Sequence, residues 1–172
     1  MEPADILVRE RISVSSSAAS KKRLLEDAAN LLATGLEKTT DDEPPTSEQV
    51  YERLLERERL GSTGLSGGVA LPHARMAGVD EARGAFLRLA EPVDFDAMDG
   101  QPVDLVFALL VPEEATDEHL QLLAALARMF NESALRDRLR TAQAEQILPI
   151  IGGEDEADAA SDKGPGSVRL PA

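Results

Sequence analysis

Cysteine is absent from this sequence, and with it any disulfide framework, thiolate nucleophile or cysteine-based zinc or iron–sulfur site. Tryptophan is absent too, and aromatic residues make up only 3% of the chain, so the core has to be built from Leu, Ala, Val and Ile. So few rings leave little platform on which bases or sugars could stack. Basic residues are scarce beside acidic ones, 18 against 32, and the formal charge of −14 makes a phosphate backbone a repulsive partner. Nucleic acid is therefore not an expected target. The simplest reading of the acidity is solubility, with docking through an acidic rim as the alternative. No apolar run approaches the length of a membrane span, and Met1-Glu2-Pro3-Ala4-Asp5 lacks the basic start and apolar run of a signal peptide. The expectation is a cytoplasmic protein with no direct membrane insertion.

What is present suits one domain: 172 residues, 42% of them hydrophobic. Ile6 to Val14 reads as a short strand or an extended lead-in. Ser20 is a candidate N-cap for a helix over Lys21 to Ala33, with Leu24, Leu25, Ala28, Leu31 and Leu32 at helical spacing and Gly35 beyond its end. Lys38 to Pro45 is a polar loop closed by two prolines. Thr46 and Gln49 have the form of a capping box, and Val50, Leu54 and Leu55 give the following helix an apolar face through Arg59. Four glycines in the eight residues Gly61 to Gly68 predict a loop with unusual backbone angles. Val69-Ala70-Leu71 reads as a short strand stopped by Pro72. Gly84 to Ala90 and Val103 to Val111 read as strands of one sheet, the second apolar on both faces. Thr116 or Asp117 can cap a helix whose inner face is Leu120, Leu123, Leu126, Ala127 and Phe130, and a short helix follows from Asn131 or Glu132 through Leu139. Ala142 to Ile151 is a last apolar cluster. The interleaving predicts an α/β or α+β fold, a central mixed sheet flanked by helices on both faces, over residues 1–151, with 152–172 as a disordered acidic tail.

The chemistry concentrates in Arg57 to Arg75, where a glycine-rich loop and a short strand deliver a single histidine, His73, directly after a proline. Imidazole suits reversible phosphorylation near neutral pH because its unprotonated nitrogen attacks and the product keeps a high transfer potential. Phosphoryl transfer requires in-line positioning and electrostatic stabilisation of the equatorial oxygens. Backbone amides of Gly64, Gly67 and Gly68 with the hydroxyls of Ser62 and Thr63 are candidates for a phosphoryl-binding nest. The only other histidine, His119, falls in the first turn of a predicted helix, where the helix dipole favours a neutral imidazole beside an anion. Arg57 is a candidate fixed positive charge. It has Arg53 four residues before it and Leu54 three before, so no carboxylate precedes it at intrahelical pairing distance. Each feature also has a bland reading. A lone histidine is more often structural than nucleophilic, glycine-rich loops are common connections, and an arginine on a helix is most often solvated. The loop is not a P-loop, which would end in Lys-Ser/Thr. Two histidines without paired-ligand spacing make a metal site weak, and Ser62 lacks the Gly-x-Ser-x-Gly turn of a hydrolase nucleophile.

Arg57-Glu58 leading into Gly-Ser-Thr-Gly, then an apolar-Ala-apolar-Pro-His stretch, resembles the signature of phosphotransferase-system IIA domains of the fructose, mannitol and nitrogen type. The resemblance continues through Phe95 to Asp104, Leu109-Leu110-Val111-Pro112 and His119-Leu120, about residues 6 to 151 in all. It departs where Leu65 is followed by Ser66 before Gly67-Gly68. The family likeness implies that His73 is phosphorylated by an HPr-like phosphocarrier, that His119 supports the phosphohistidine, and that Arg57 is the active-site arginine. It implies no metal, nucleotide or organic cofactor. A domain with no fused membrane or HPr-like module, Ser20 to Lys22 and the Phe95 to Asp104 segment are most like the nitrogen-type regulators, whose phosphorylation state is the signal; their targets would include kinases or potassium transporters. The alternatives are a fructose- or mannitol-type IIA that passes phosphate to a IIB domain, and a regulator that acts by binding alone.

Overall fold

The computed structural model describes residues 1–38, 41–114 and 116–153. The expected tail falls outside these residues from Glu154 onward, as do Thr39, Thr40 and Ala115. The chain begins with two 3-10 turns, Pro3–Ile6 and Arg9–Arg11, before β1 (Ile12–Ser16), α1 (Lys21–Ala33) and α2 (Ser47–Arg59). Then follow β2 (Val69–Ala70), β3 (His73–Met76), β4 (Arg83–Val93), β5 (Val103–Pro112), α3 (Asp117–Phe130), α4 (Ser133–Thr141) and α5 (Ala144–Gly152). The lead-in expected as extended is turned because the Arg11 guanidinium gathers it, donating to Ile6 O and Gly84 O at 3.0 and 2.8 Å.

The helix starts follow from their caps. Ser20 Oγ accepts from Arg23 N at 3.1 Å, and Thr46 and Gln49 exchange side chain for backbone as a capping box should, at 3.1 and 2.9 Å. α5 was visible only as an apolar cluster. Gln143 N donates to Gln146 Oε1 at 2.8 Å, and Pro149 sits within the helix, hiding it from a reading that treats proline as a stop.

The sheet runs β1-β4-β5-β2, with β3 also on β5. β4 and β5 are antiparallel and the other pairings are parallel. β2 and β3 keep one register against β5, Val69 opposite Leu105 and His73 opposite Leu109, so they are a single edge strand interrupted at Leu71-Pro72. Pro72 has no N–H for the ladder, yet its carbonyl accepts from Leu109 N at 2.9 Å and the strand resumes. His73 therefore begins a strand, where the sequence suggested that Pro72 stops one.

Both faces of β5 are buried. Val106, Ala108 and Leu110 pack with the apolar side of α1 and α2, while Leu105, Phe107, Leu109 and Val111 pack with α3, α4 and α5. Each fully buried Leu or Phe contributes about 1.5–3 kcal/mol. In α3 the inner residues are Leu122, Leu126 and Phe130, whereas Leu120, expected inside, is 64% exposed. Leu120 lies in the first turn, at the end of α3 beyond the sheet's apolar cover.

Candidate functional site

Strand periodicity decides where His73 points. Val69 and Leu71 of the interrupted edge strand belong to the core beneath α3, so His73 and Arg75, two and four residues beyond Leu71, share that face. Ala74 and Met76 turn to the opposite core. His73 thereby looks into a cleft of about 960 Å³ bounded by the end of α2, the edge strand, β5 and the start of α3. The cleft brings together His73, His119 and Arg57, which lie far apart in sequence.

The tautomer of each imidazole follows from its partner. His73 Nδ1 lies 2.8 Å from Leu71 O, and a carbonyl only accepts, so Nδ1 carries the proton and Nε2 holds the lone pair. His119 Nδ1 accepts from Thr116 N at 3.2 Å across the first turn of α3, which leaves its proton on Nε2. One ring thus presents an acceptor nitrogen and the other a donor. Burial holds the His73 pKa below the usual imidazole value of 6.5. The hydrogen bond to Leu71 opposes that shift, the Arg57 guanidinium adds to it, and the Glu58 carboxylate opposes it. A neutral ring at pH 7 is the consequence.

Arg57 is half-buried and anchored, Nη1 donating to Gly61 O at 2.8 Å, so it reaches past the end of its helix instead of pairing within it. Glu58, the next residue, is 6% exposed. Its carboxylate accepts from Thr63 N at 3.1 Å and from the Thr63 hydroxyl, and lies 3.2 Å from Lys21 Nζ. Lys21 in turn sits 4.5 Å above the Phe95 ring. This junction ties the start of α1, the end of α2 and the glycine-rich loop together.

Much of the polar capacity of the glycine-rich loop is engaged within the protein. Ser62 Oγ donates to Phe95 O at 2.6 Å and accepts from Gly64 N at 3.0 Å; Thr63 is spent on Glu58; Gly67 N donates to Asp99 Oδ2 at 3.1 Å. Gly68 O accepts from Asp104 N and Leu105 N, both at 3.0 Å. None of Ser62, Thr63, Gly64, Gly67 or Gly68 lines the cleft. Their small size serves contact: a Cβ on Gly64 would stand 2.9 Å from Ala97 Cα, and Gly67, at φ +82°, lies against the Arg136 guanidinium. The loop is a brace behind Arg57 and His73, docked on the segment around Phe95 to Asp99.

Sequence reasoning missed Arg59, Arg75 and the exposed Leu60, which also line the cleft. Arg75 would have been found by reading His73–Met76 as a strand, since i and i+2 share a face. Leu60 breaks the apolar phase set by Val50 and Leu54, a signal in itself. Among the described residues no group of three or more His, Asp or Glu side chains could hold a metal.

Residues 5–152 match the family model described as "Phosphoenolpyruvate-dependent sugar phosphotransferase system, EIIA 2". The chain belongs to this family. Among relatives of this IIA domain, a nitrogen regulatory protein of Pseudomonas aeruginosa is 47% identical over 147 residues, covering 85% of this chain and 92% of its own. The crystal structure of nitrogen regulatory protein IIA-Ntr from Neisseria meningitidis superposes with a TM-score of 0.78 at 46% identity, covering 86% of this chain and 97% of that one. A fructose-specific EIIA component of Haloferax volcanii is 36% identical, covering 84% of this chain and 90% of its own. Membership makes this IIA domain a component of the phosphotransferase system, with a phosphocarrier role and phosphotransfer partners of that system. Among the described residues no helix is long and apolar enough to cross a membrane.

Proposed function

We propose that this IIA domain is a nitrogen-type regulatory phosphocarrier of the cytoplasm that accepts a phosphoryl group on His73 Nε2 from an HPr-like carrier. The observation that carries the reading is the hydrogen bond from His73 Nδ1 to Leu71 O, which fixes the reactive lone pair on Nε2 within a cleft that also holds Arg57 and His119. In the transfer, Nε2 forms the new N–P bond as the bond from phosphorus to the donor nitrogen breaks, and that nitrogen departs with the electron pair. The His73 ring becomes a phosphorylated imidazolium whose Nδ1 keeps its proton, hydrogen-bonded to Leu71 O, a form that leaves readily in the next transfer. Arg57 stabilises the equatorial oxygens, and the His119 Nε2–H donates to one of them.

Nitrogen regulatory relatives at 47% and 46% identity support the regulatory branch over the sugar-transport branch. Incubation with phosphoenolpyruvate, enzyme I and an HPr-type carrier tests the chemistry. Intact mass should rise by one acid-labile phosphoryl group in wild type and stay unchanged in His73→Ala. A wild-type chain that gains nothing from carriers competent on a known IIA protein would refute the reading and leave a regulator that acts by binding alone. Efficient onward transfer to a purified sugar IIB domain would instead favour the fructose- or mannitol-type role.

A further inference from the structure

Glu58 is a buried carboxylate that the transfer chemistry does not use. Its side chain is 2% exposed at the end of α2, beside an Arg57 whose side chain lines the cleft. Desolvating a carboxylate is costly, and a buried ion pair such as Glu58 with Lys21 is seldom more stable than apolar residues of the same volume. Packing alone therefore gives no reason for a carboxylate here. Its hydrogen bonds do: the backbone N–H and the hydroxyl of Thr63 both donate to it, so Thr63 is held at two points. Lys21 Nζ, itself 3.4 Å from Phe95 O, lies against the same carboxylate at 3.2 Å.

Thr63 in turn holds Leu71. Residues 63–65 run antiparallel to 69–71: Leu71 N donates to Thr63 O at 3.1 Å, Leu65 N donates to Val69 O at 2.7 Å, and Gly64 pairs with Ala70. Gly67 and Gly68, at φ +82° and +83°, make the reversal between the two segments. Leu71 stands where pairing with β5 lapses, and its carbonyl accepts from His73 Nδ1 at 2.8 Å. Hydrogen bonds and one residue of backbone thus link the Glu58 carboxylate to the imidazole through Thr63 and Leu71. The last bond in that line decides reactivity. An unconstrained neutral histidine side chain favours the proton on Nε2, which leaves that nitrogen no lone pair to attack with, and a hydrogen bond made by Nδ1–H reverses the choice.

We propose that Glu58 and Thr63 are positioning residues for the phosphorylation of His73: by holding Leu71 they keep its carbonyl on Nδ1 and so keep Nε2 the attacking nitrogen. The proposal rests on His73 being the phosphorylated residue. Glu58 and Thr63 touch no phosphoryl oxygen and act only through Leu71. When the Thr63 hydroxyl or the Glu58 charge is removed, Thr63 is held less firmly, Leu71 O drifts from Nδ1, and rings with the proton on Nε2 accumulate. Those rings cannot attack until they change tautomer. Both residues are buried away from the cleft, so the face that meets the carrier is unchanged and the loss falls on kcat, with KM for the carrier preserved. Neighbouring residues at the end of α2 then have two tasks, Arg57 toward the phosphoryl oxygens and Glu58 toward the nitrogen that attacks them.

The test is nuclear magnetic resonance of the full, unphosphorylated chain with isotope-labelled histidine, which reads the nitrogen that carries the proton, together with the kinetics of transfer from a phosphorylated HPr-type carrier. The variants are Thr63→Val, which keeps the shape and loses the hydroxyl, Thr63→Ser, which keeps the hydroxyl, and Glu58→Gln, which loses the charge. Glu58 favours protonation of His73, so its neutralisation leaves the ring neutral and the tautomer legible. Wild type should carry the proton on Nδ1. Thr63→Val and Glu58→Gln should move it to Nε2 in a large share of rings and lower kcat by about tenfold or more with KM unchanged. Thr63→Ser should restore both readings. If Thr63→Val does not fold, Glu58→Gln decides on the same criteria. A proton that stays on Nδ1 in the folded variants overturns the proposal, as does a wild-type kcat, or a loss that falls on KM. The tautomer is read before any phosphate is present, so these outcomes are separate from failure of His73 to accept phosphate, which the intact mass of wild type reports.

Discussion

A histidine whose Nδ1 is committed to a carbonyl can react only through Nε2, and its reactivity then depends on how easily Nε2 is protonated. Burial and Arg57 hold His73 below 6.5, so the reactive neutral ring is present above the ordinary imidazole range and lost as pH falls through the lowered value. The rate of phosphorylation is expected to be level above about pH 7 and to decline only on the acid side. In Arg57→Ala the His73 pKa rises, so the acid limb should move to higher pH and the maximal rate should drop by about 10²-fold, the scale of losing one transition-state donor. Stopped-flow measurement across pH reads both, and an acid limb displaced downward would contradict the assignment. His119→Ala should slow transfer by about 10²-fold. His119→Gln, which keeps an N–H donor, should recover part of that loss.

Between elements, the Glu58 carboxylate is the group that cannot be left alone. Removing its partner in Lys21→Met, or the carboxylate itself in Glu58→Ala, should cost about 3–5 kcal/mol in urea denaturation, the scale for breaking a buried pair. Gly67→Ala should cost about 1 kcal/mol or more, because φ +82° is strained for alanine and the new Cβ meets Arg136. If Glu58→Ala unfolds at the wild-type midpoint, the junction braces nothing. The elements themselves were largely legible in the sequence: Ser20 and Thr46 announced α1 and α2, and Val103 to Val111 announced a strand buried on both faces. The edge strand was less so, because Pro72 looks like an end and only tertiary register with Leu105 and Leu109 shows β2 and β3 to be continuous. The glycine-rich loop was only partly legible for a related reason. Its composition declared unusual backbone, but whether its amides face solvent or Asp99 and Glu58 is a property of the packed segments, which no local pattern encodes.

At the scale of the molecule, a net charge of −14 surrounds a cleft of opposite sign. Self-repulsion is screened within about 10 Å at 0.1 M salt, so the melting temperature should rise as salt is raised toward that level and then flatten. Calorimetry against ionic strength checks this. The three residues that meet in the cleft, Arg57, His73 and His119, were each singled out by chemistry and family likeness before their positions were known. Arg59 and Arg75 were not, because a surplus of arginines becomes meaningful only when folding collects them in one cleft. The central claim concerns a single atom, and hydrolysis of the phosphorylated protein in alkali followed by phosphohistidine analysis tests it most directly. The account predicts phosphate on the Nε2 nitrogen of histidine, lost in His73→Ala; phosphate on Nδ1, or phosphohistidine that survives the substitution, would contradict it.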